Sequence, residues 1–293
     1  MIINNTFFLD THAYLKKIAI DIIIPKIGNL NEDEVSTKID NSKVTSYDVI
    51  IENELIEYFK KKGFTNIISE ENNSELIKDD EYLTVDPIDG TRNFINGINK
   101  VAIMLSFIKN TKCEFAIIYD PIADIFYHTF NQSIFKNHKQ IKPQIYSNQI
   151  GFLGDHAKVY FKDIITSYTE KIRSRSIGYD VIEAIEGERS FLTVYGSKIW
   201  DLFPAMSFLK LLNFDNGLPL YFYSILKLEH FLIDWSLRLD LFVSGLIIII
   251  TFFANVFTIY LISIYEENKF DLKIIKNSSL SIFGILTLVS SII

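Results

Sequence analysis

The stretch VDPIDGTRNF (85–94) places Asp86 and Asp89 three residues apart and follows them directly with Gly90 and Thr91. A third acid, Glu70, follows the apolar pair Ile67 and Ile68, and Asp86 follows the apolar run 82–85. If these runs are neighbouring strands, Glu70, Asp86 and Asp89 converge at their C-terminal ends. Carboxylates packed in this way repel one another unless a cation lies between them. Hard oxygen ligands suit Mg²⁺, which keeps several waters and is commonly held beside a phosphate. Pro87 fixes the backbone so that the Ile88 carbonyl can be aimed at the same ion. Gly90 and Thr91 offer backbone N–H groups at a helix start, where a phosphate is favoured. The pattern fits metal-assisted phosphate chemistry. The competing reading is a strand end, a turn and a helix cap.

The elements needed to hold these residues are visible on either side. Residues 10–30 show apolar positions at helical spacing, with Pro25 as a break. Residues 46–62 form a second helical pattern carried by Val49, Ile50, Leu55, Ile56 and Phe59. The run from 101 to 130 reads as three strands separated by a polar turn at 109–112 and a "DP" turn at Asp120 and Pro121. Helix-rich ends around a strand-rich middle indicate a mixed α/β domain.

Composition narrows the classes. The chain has 293 residues, 48% of them hydrophobic, and a net charge of −7, so a polymeric nucleic acid is not an expected partner. One cysteine, Cys113, excludes an internal disulfide and fits a reducing compartment. The N-terminal MIINNTFFLDTHAYLKK lacks a basic start followed by an apolar run, so no secretory signal is expected. The segment 241–265 is free of charge over 25 residues. As a helix it is about 38 Å long, against ~30 Å for a bilayer core, and it reads as a transmembrane anchor. The alternative is a buried core helix. The apolar run 280–293 is too short to span. The expected organisation is therefore a domain at 1–225 and a hydrophobic tail at 226–293, membrane-associated with the domain on the cytoplasmic side; the alternative is a soluble cytoplasmic protein.

Taken together, KIDNSKVTSYD (38–48), SEE (69–71), DPIDGTRNF (86–94), YDPIADIFY (119–127), RSIG (175–178) and KIWD (198–201) resemble the inositol monophosphatase superfamily of Mg²⁺-dependent, lithium-sensitive phosphatases. The resemblance implies a layered αβαβα sandwich and hydrolysis of a small phosphomonoester such as an inositol phosphate, histidinol phosphate or sugar phosphate. It implies two or more Mg²⁺ ions: Glu70, Asp86, Asp89 and the Ile88 carbonyl hold the first, and Asp86, Asp89 and Asp201 the second. Thr91, with Asp48 behind it and Glu70 beside it, orients the attacking water. Asp89, Gly90, Thr91 and Lys38 face the substrate. A homodimer is a further expectation.

The chain departs from the pattern in places. Tyr179 and Asp180 follow the glycine of RSIG, where relatives carry small residues, and a bulky and a negative group there disfavour inositol. Val194 stands where inositol-binding relatives carry an acid. The SEE spelling points to an alternative, a 3′(2′),5′-bisphosphate nucleotidase. The closing part of the domain is compressed around NGLP (216–219), and a second alternative is a catalytically weak, membrane-bound binding protein. Glu71 is a candidate supporting acid. Asp201 taken alone could be only a helix cap, and Trp200 reads as packing. Lys171, Arg173 and Arg175 read as a solvated face or subunit contact. His12, His128, His138, His156 and His230 show no metal-ligand spacing and read as surface or core residues.

Overall fold

The computed structural model describes residues 3–38, 41–71, 80–110, 112–142, 150–152, 169–189, 191–192 and 198–212. The 241–265 and 280–293 runs, the boundary at 225, NGLP, Val194, His156 and His230 lie outside the described residues. Among the described residues no helix is long and apolar enough to cross a membrane.

Helix α1 (Asn5–Ile18) starts where the Asn4 side chain accepts the Phe7 amide, a capping bond that satisfies one orphan donor. It buries Phe7, Phe8, Thr11, Leu15 and Ile18. The chain does not break at Pro25. It widens into a π-helical turn over Ala19–Ile23 and closes with the short α2 (Ile24–Lys26). A proline lacks the N–H and crowds the carbonyl four residues back, and a wider turn relieves both.

Helix α3 (Ser46–Lys61) opens with a reciprocal cap: the Thr45 hydroxyl accepts the Asp48 amide and Asp48 accepts the Thr45 amide. Its inward face is Asp48, Ile51, Glu52, Leu55 and Phe59. Val49 and Ile50, expected on that face, are 38% and 45% exposed. Turning Asp48 inward through the cap sets the helix rotation, and 51, 55 and 59 then follow at helical spacing.

A short hairpin of β1 (Val35–Thr37) and β2 (Lys43–Thr45) precedes α3. The main sheet holds seven strands in sequence order: β3 (Ile67–Ser69), β4 (Glu81–Asp89), β5 (Ala102–Lys109), β6 (Lys112–Asp120), β7 (Ile125–Phe130), β8 (Ser133–Lys136) and β9 (Lys139–Ile141). Only β3 and β4 pair parallel; the other neighbours are antiparallel. Both faces are covered. Leu83, Val85, Ile103, Leu105, Phe115 and Ile117 pack with residues of α1 and α3. Met104, Ala116 and Ile118 pack with α5 (Ile177–Ile185) and α6 (Ile199–Leu209). Burial on both sides explains why these strands read as unbroken apolar runs.

A second sheet pairs β10 (Ile150–Phe152) in parallel with β11 (Thr169–Glu170) and β12 (Phe191–Leu192). Helices, sheet, helices and a second sheet account for four of the expected αβαβα layers; a fifth is not among the described residues.

His128, on β7, is a core histidine. It stacks on Phe8 at 4.1 Å and Phe135 at 4.7 Å, and its Nδ1 has no hydrogen-bond partner. Burial holds it far below its usual range, at about 3 against 6.5. The folded protein therefore keeps this ring neutral where the unfolded chain takes up a proton. The stability it contributes is intact above pH 6.5 and falls as pH drops from 6.5 towards 3, by about 1.4 kcal/mol per pH unit at most. We expect His128→Phe to flatten this acid slope while keeping the ring stack. Urea midpoints measured at pH 7 and pH 5 check it, and an unchanged slope would mean that His128 does not stay neutral in the fold.

Candidate active site

The parallel register Ser69↔Val85 carries the chain ends of β3 and β4 side by side, and the Glu70 amide bonds the Val85 carbonyl at 3.1 Å. Glu70 therefore lies beside Asp86, as the adjacency of two short strands requires. Asp86 and Asp89 should face opposite sides of a regular strand, because they are an odd number of residues apart. The register to β5 runs Asp86↔Met104 and then Asp89↔Ala102, three residues against two. This extra residue is a bulge, which rotates the strand and re-aims side chains. Pro87 sits within it, where its missing N–H costs no ladder bond, and the Ile88 amide bonds Asp86 Oδ1 at 3.0 Å.

Asp201 arrives on the first turn of α6, where it also accepts the Lys198 amide as a cap. The cap and cluster readings thus hold together. Oxygens of Asp86, Asp89 and Asp201 lie within 4.8 Å of one another. Burial pushes all three upward: Asp86 well above the usual carboxylate range, Asp89 to about 6 and Asp201 to about 7. Neighbouring negative charge, from Glu70 on Asp86 and from Asp89 on Asp201, adds to this. A buried set of hard oxygen donors with unrelieved repulsion fits Mg²⁺.

Asp89 is also held from the second half of the fold. Its Oδ2 accepts the Ser176 hydroxyl at 2.5 Å and the Gly178 amide at 2.6 Å, and its Oδ1 accepts the Ile177 amide at 3.1 Å. These donors are the N-terminus of α5, where negative charge is favoured. The approach explains RSIG: Ser176 caps the helix through Tyr179 N, and a Cβ on Gly178 would stand 2.9 Å from Ala102 Cβ and 3.0 Å from Asp89 Oδ2. Gly90, at φ +92, turns the chain from β4 into the short α4 (Thr91–Ile95).

The Thr91 hydroxyl lies 3.1 Å from Asp48 Oδ1 and 3.2 Å from the Ile88 carbonyl, and can donate to either. The other Asp48 oxygen accepts the Thr45 amide and hydroxyl. Burial raises Asp48 to about 6. Lys38, in the chain between β1 and β2, bonds Glu70 at 3.1 Å and Glu71 at 2.7 Å. Glu71 is raised to about 7, chiefly by burial, and its amide bonds Glu52. Lys38 thus supplies positive charge directly to the acids.

Asp180 departs from the reading made of it. It is 1% exposed, accepts the Ser174 amide at 2.9 Å and pairs with Arg189 at 3.0 Å. It faces into the protein and puts no free charge before a substrate, because the helix turn that aims Gly178 at Asp89 aims Asp180 away. Tyr179 bonds Asp120 through its hydroxyl. Nor are Lys171 and Arg173 simply solvated: Lys171 pairs with Glu183 and Glu188, and Arg173 approaches Asp180 at 3.6 Å.

Sequence reasoning missed Arg189. It is fully buried, pairs with Asp180 and Glu183, and bonds the carbonyls of Lys171 and Ile172. It thereby ties the chain after β11 to the helix that grips Asp89. The available signal was two acids on an apolar helical stretch, Asp180 and Glu183 in IGYDVIEAI, which require a buried cation. Arg189→Met leaves two buried anions short of a partner and should cost about 3–5 kcal/mol. Adding Asp180→Asn should recover part of that loss. Urea unfolding of both variants checks this, and a single variant as stable as the parent would show that Arg189 does not neutralise the pair.

The chain is similar to several known proteins. The chain is 32% identical over 141 residues to fructose-1,6-bisphosphatase of Pyrococcus furiosus, covering 44% of this chain and 54% of that one. It is 36% identical over 89 residues to inositol monophosphatase 1 of Bos taurus, covering 29% and 32%. The chain thus matches about half or less of the length of these relatives. Among solved structures, Staphylococcal IMPase-I complexed with products superposes with a TM-score of 0.61 at 21% identity, covering 72% of this chain and 83% of that one, which shows a shared fold. The model of the inositol monophosphatase family matches residues 5–206, a span that contains every acid of the cluster, and the chain belongs to that family.

Proposed function

We propose that the chain is a Mg²⁺-dependent phosphomonoesterase acting on a small phosphorylated metabolite. The observation that carries this reading is the convergence of Asp86, Asp89 and Asp201 within 4.8 Å, next to a threonine hydroxyl held by a buried carboxylate. Asp86, Asp89 and Asp201, with Glu70 and the Ile88 carbonyl beside them, are the groups that would hold Mg²⁺. When bound, Mg²⁺ supplies Lewis-acid charge against the phosphoryl oxygens and lowers the pKa of a coordinated water. Asp48, ionised above about pH 6, accepts the Thr91 proton. The Thr91 oxygen is then free to accept from the attacking water and fix its line of approach. Gly90 and Thr91 present the turn that receives the phosphate, and Lys38, paired with Glu70 and Glu71, adds positive charge beside the acids. The inward turn of Asp180 removes one objection to a polyol substrate, so the ester is defined here only as small and phosphorylated.

The test is a phosphate-release screen with Mg²⁺ over inositol phosphates, histidinol phosphate, sugar phosphates and 3′-phosphoadenosine 5′-phosphate. At least one ester should be hydrolysed, and Asp89→Asn should lower turnover by orders of magnitude while the circular dichroism spectrum is kept. Hydrolysis of none of them, or near-parental turnover in Asp89→Asn, would overturn the assignment.

The raised carboxyls give a second, activity-independent expectation. Without Mg²⁺, Asp89 and Asp201 stay protonated in the fold up to about 6 and 7. Their stabilising share is complete below about pH 3.8 and is lost as pH rises through 6 to 7. Mg²⁺ binds the ionised form and restores what was lost. The rise in melting temperature on adding Mg²⁺ should therefore be larger at pH 8 than at pH 5. An equal or reversed dependence in a thermal-shift measurement would contradict a metal role for these carboxylates.

A further inference from the structure

Three of the chain's five histidines meet on the α1 side of the main sheet, away from the acid cluster and sharing no residue with it. His12 comes from α1, His128 from β7, and His138 from the turn between β8 and β9. His12 Nδ1 and His138 Nε2 stand 2.9 Å apart. The other His12 nitrogen, Nε2, is 3.1 Å from Asp124 Oδ1. A carboxylate on Nε2 places the proton there, so Nδ1 presents its lone pair to His138. The same Asp124 oxygen accepts the Tyr119 hydroxyl at 3.0 Å, and its other oxygen takes Lys16 at 2.5 Å. The His12 ring is fixed by stacking on Phe126 at 4.8 Å. Asn137 anchors the turn to β7 by two bonds with Phe126, each 2.8 Å.

We propose that His12 Nδ1 and His138 Nε2 form a binding site for one borderline divalent transition ion of the Zn²⁺, Ni²⁺ or Cu²⁺ class, with Asp124 as the carboxylate that orients His12. Two observations carry this. The 2.9 Å hydrogen-bond contact of the two nitrogens is close to the spacing of two imidazole nitrogens on one ion, about 2.9 Å at a right angle and about 3.3 Å at a tetrahedral angle for bonds of about 2.0–2.1 Å, so a small tilt of one ring admits the ion. A carboxylate on the remote nitrogen is the arrangement that fixes the tautomer of a metal-bound histidine and raises its basicity.

The ion takes the place of the proton that His138 Nε2 presents to His12 Nδ1; that proton passes by way of solvent to His138 Nδ1, so both rings stay neutral and none is released overall. The ion lies to one side of the line joining the nitrogens, so one ring must tilt. His138 can do so: it is half-buried at the tip of a two-residue turn in which it and Asn137 have φ 66 and 45. His128, buried and stacked between Phe8 and Phe135, keeps its place, and its ring centre is 6.0 Å from that of His138. Mg²⁺ prefers oxygen, whereas imidazole suits the borderline ions, so the acid cluster and this site select different metals.

The experiment uses the full chain in saturating Mg²⁺, which occupies the carboxylates, titrated with Cu²⁺ and with Zn²⁺. Calorimetry should show one ion bound per chain. The Cu²⁺ electron paramagnetic resonance spectrum should show splitting from two nitrogens. His12→Gln and His138→Gln should each abolish that signal, and Asp124→Asn should weaken binding about 10–100-fold. His138→Gln, on an exposed turn, decides the matter should the His12 variant fail to fold. Absence of a nitrogen-split Cu²⁺ signal, or its survival in His138→Gln, overturns the site.

Discussion

Electrostatic repulsion among Asp86, Asp89 and Asp201 is the constraint around which the described part of this protein is arranged. Three carboxylates are brought within 4.8 Å in a buried setting, where burial alone already disfavours their charge. Apart from a hydrogen bond between the Asp86 and Asp201 carboxyls, such a group gains little from its own contacts, so each member is also held by other parts of the structure. Asp86 lies in a bulged strand between neighbours on both sides. Asp201 is fixed by its helix cap, and Asp89 by three donors from the start of α5.

That last grip extends the constraint into the second half of the domain. The α5 N-terminus can reach Asp89 only because residue 178 has no side chain. The same helix turn sends Asp180 inward, where Arg189 neutralises it together with Glu183. Arg189 is in turn fixed by backbone carbonyls after β11. One line of hydrogen bonds and ion pairs therefore runs from the small parallel sheet to the acid cluster. Buried ion pairs of this kind contribute little net stability over apolar packing, so geometry at Asp89 is the gain that this line of contacts provides.

The first half of the domain supports the site through a different device. The cap of α3 uses the side chain of Asp48 twice, towards Thr45 to start the helix and towards Thr91 to hold a hydroxyl beside the acids. The helix rotation follows from that inward turn, and it leaves Val49 and Ile50 on the exposed side. Lys38 closes the arrangement by placing an ammonium between Glu70 and Glu71, which relieves part of the repulsion at the edge of the cluster.

Much of this was legible in the sequence. The strands from Ala102 to Phe130 and the two helices before them show their own periodicity, because secondary structure is governed by neighbours a few residues apart. The chemistry of DPIDGT was readable for the same reason: two aspartates, a proline, a glycine and a threonine act within one bulge and one turn. What the tertiary structure decided depends on partners far apart in the chain. Glu70 beside Asp86 required the parallel pairing of β3 with β4. The direction of Asp180 required Arg189, and the grip on Asp89 comes from a residue 89 positions away. His12 and His138 are 126 residues apart, and no local spacing could show that α1 and the β8–β9 turn bring their rings together. Local pattern fixes which groups a segment presents; only the packing of distant segments fixes what those groups meet.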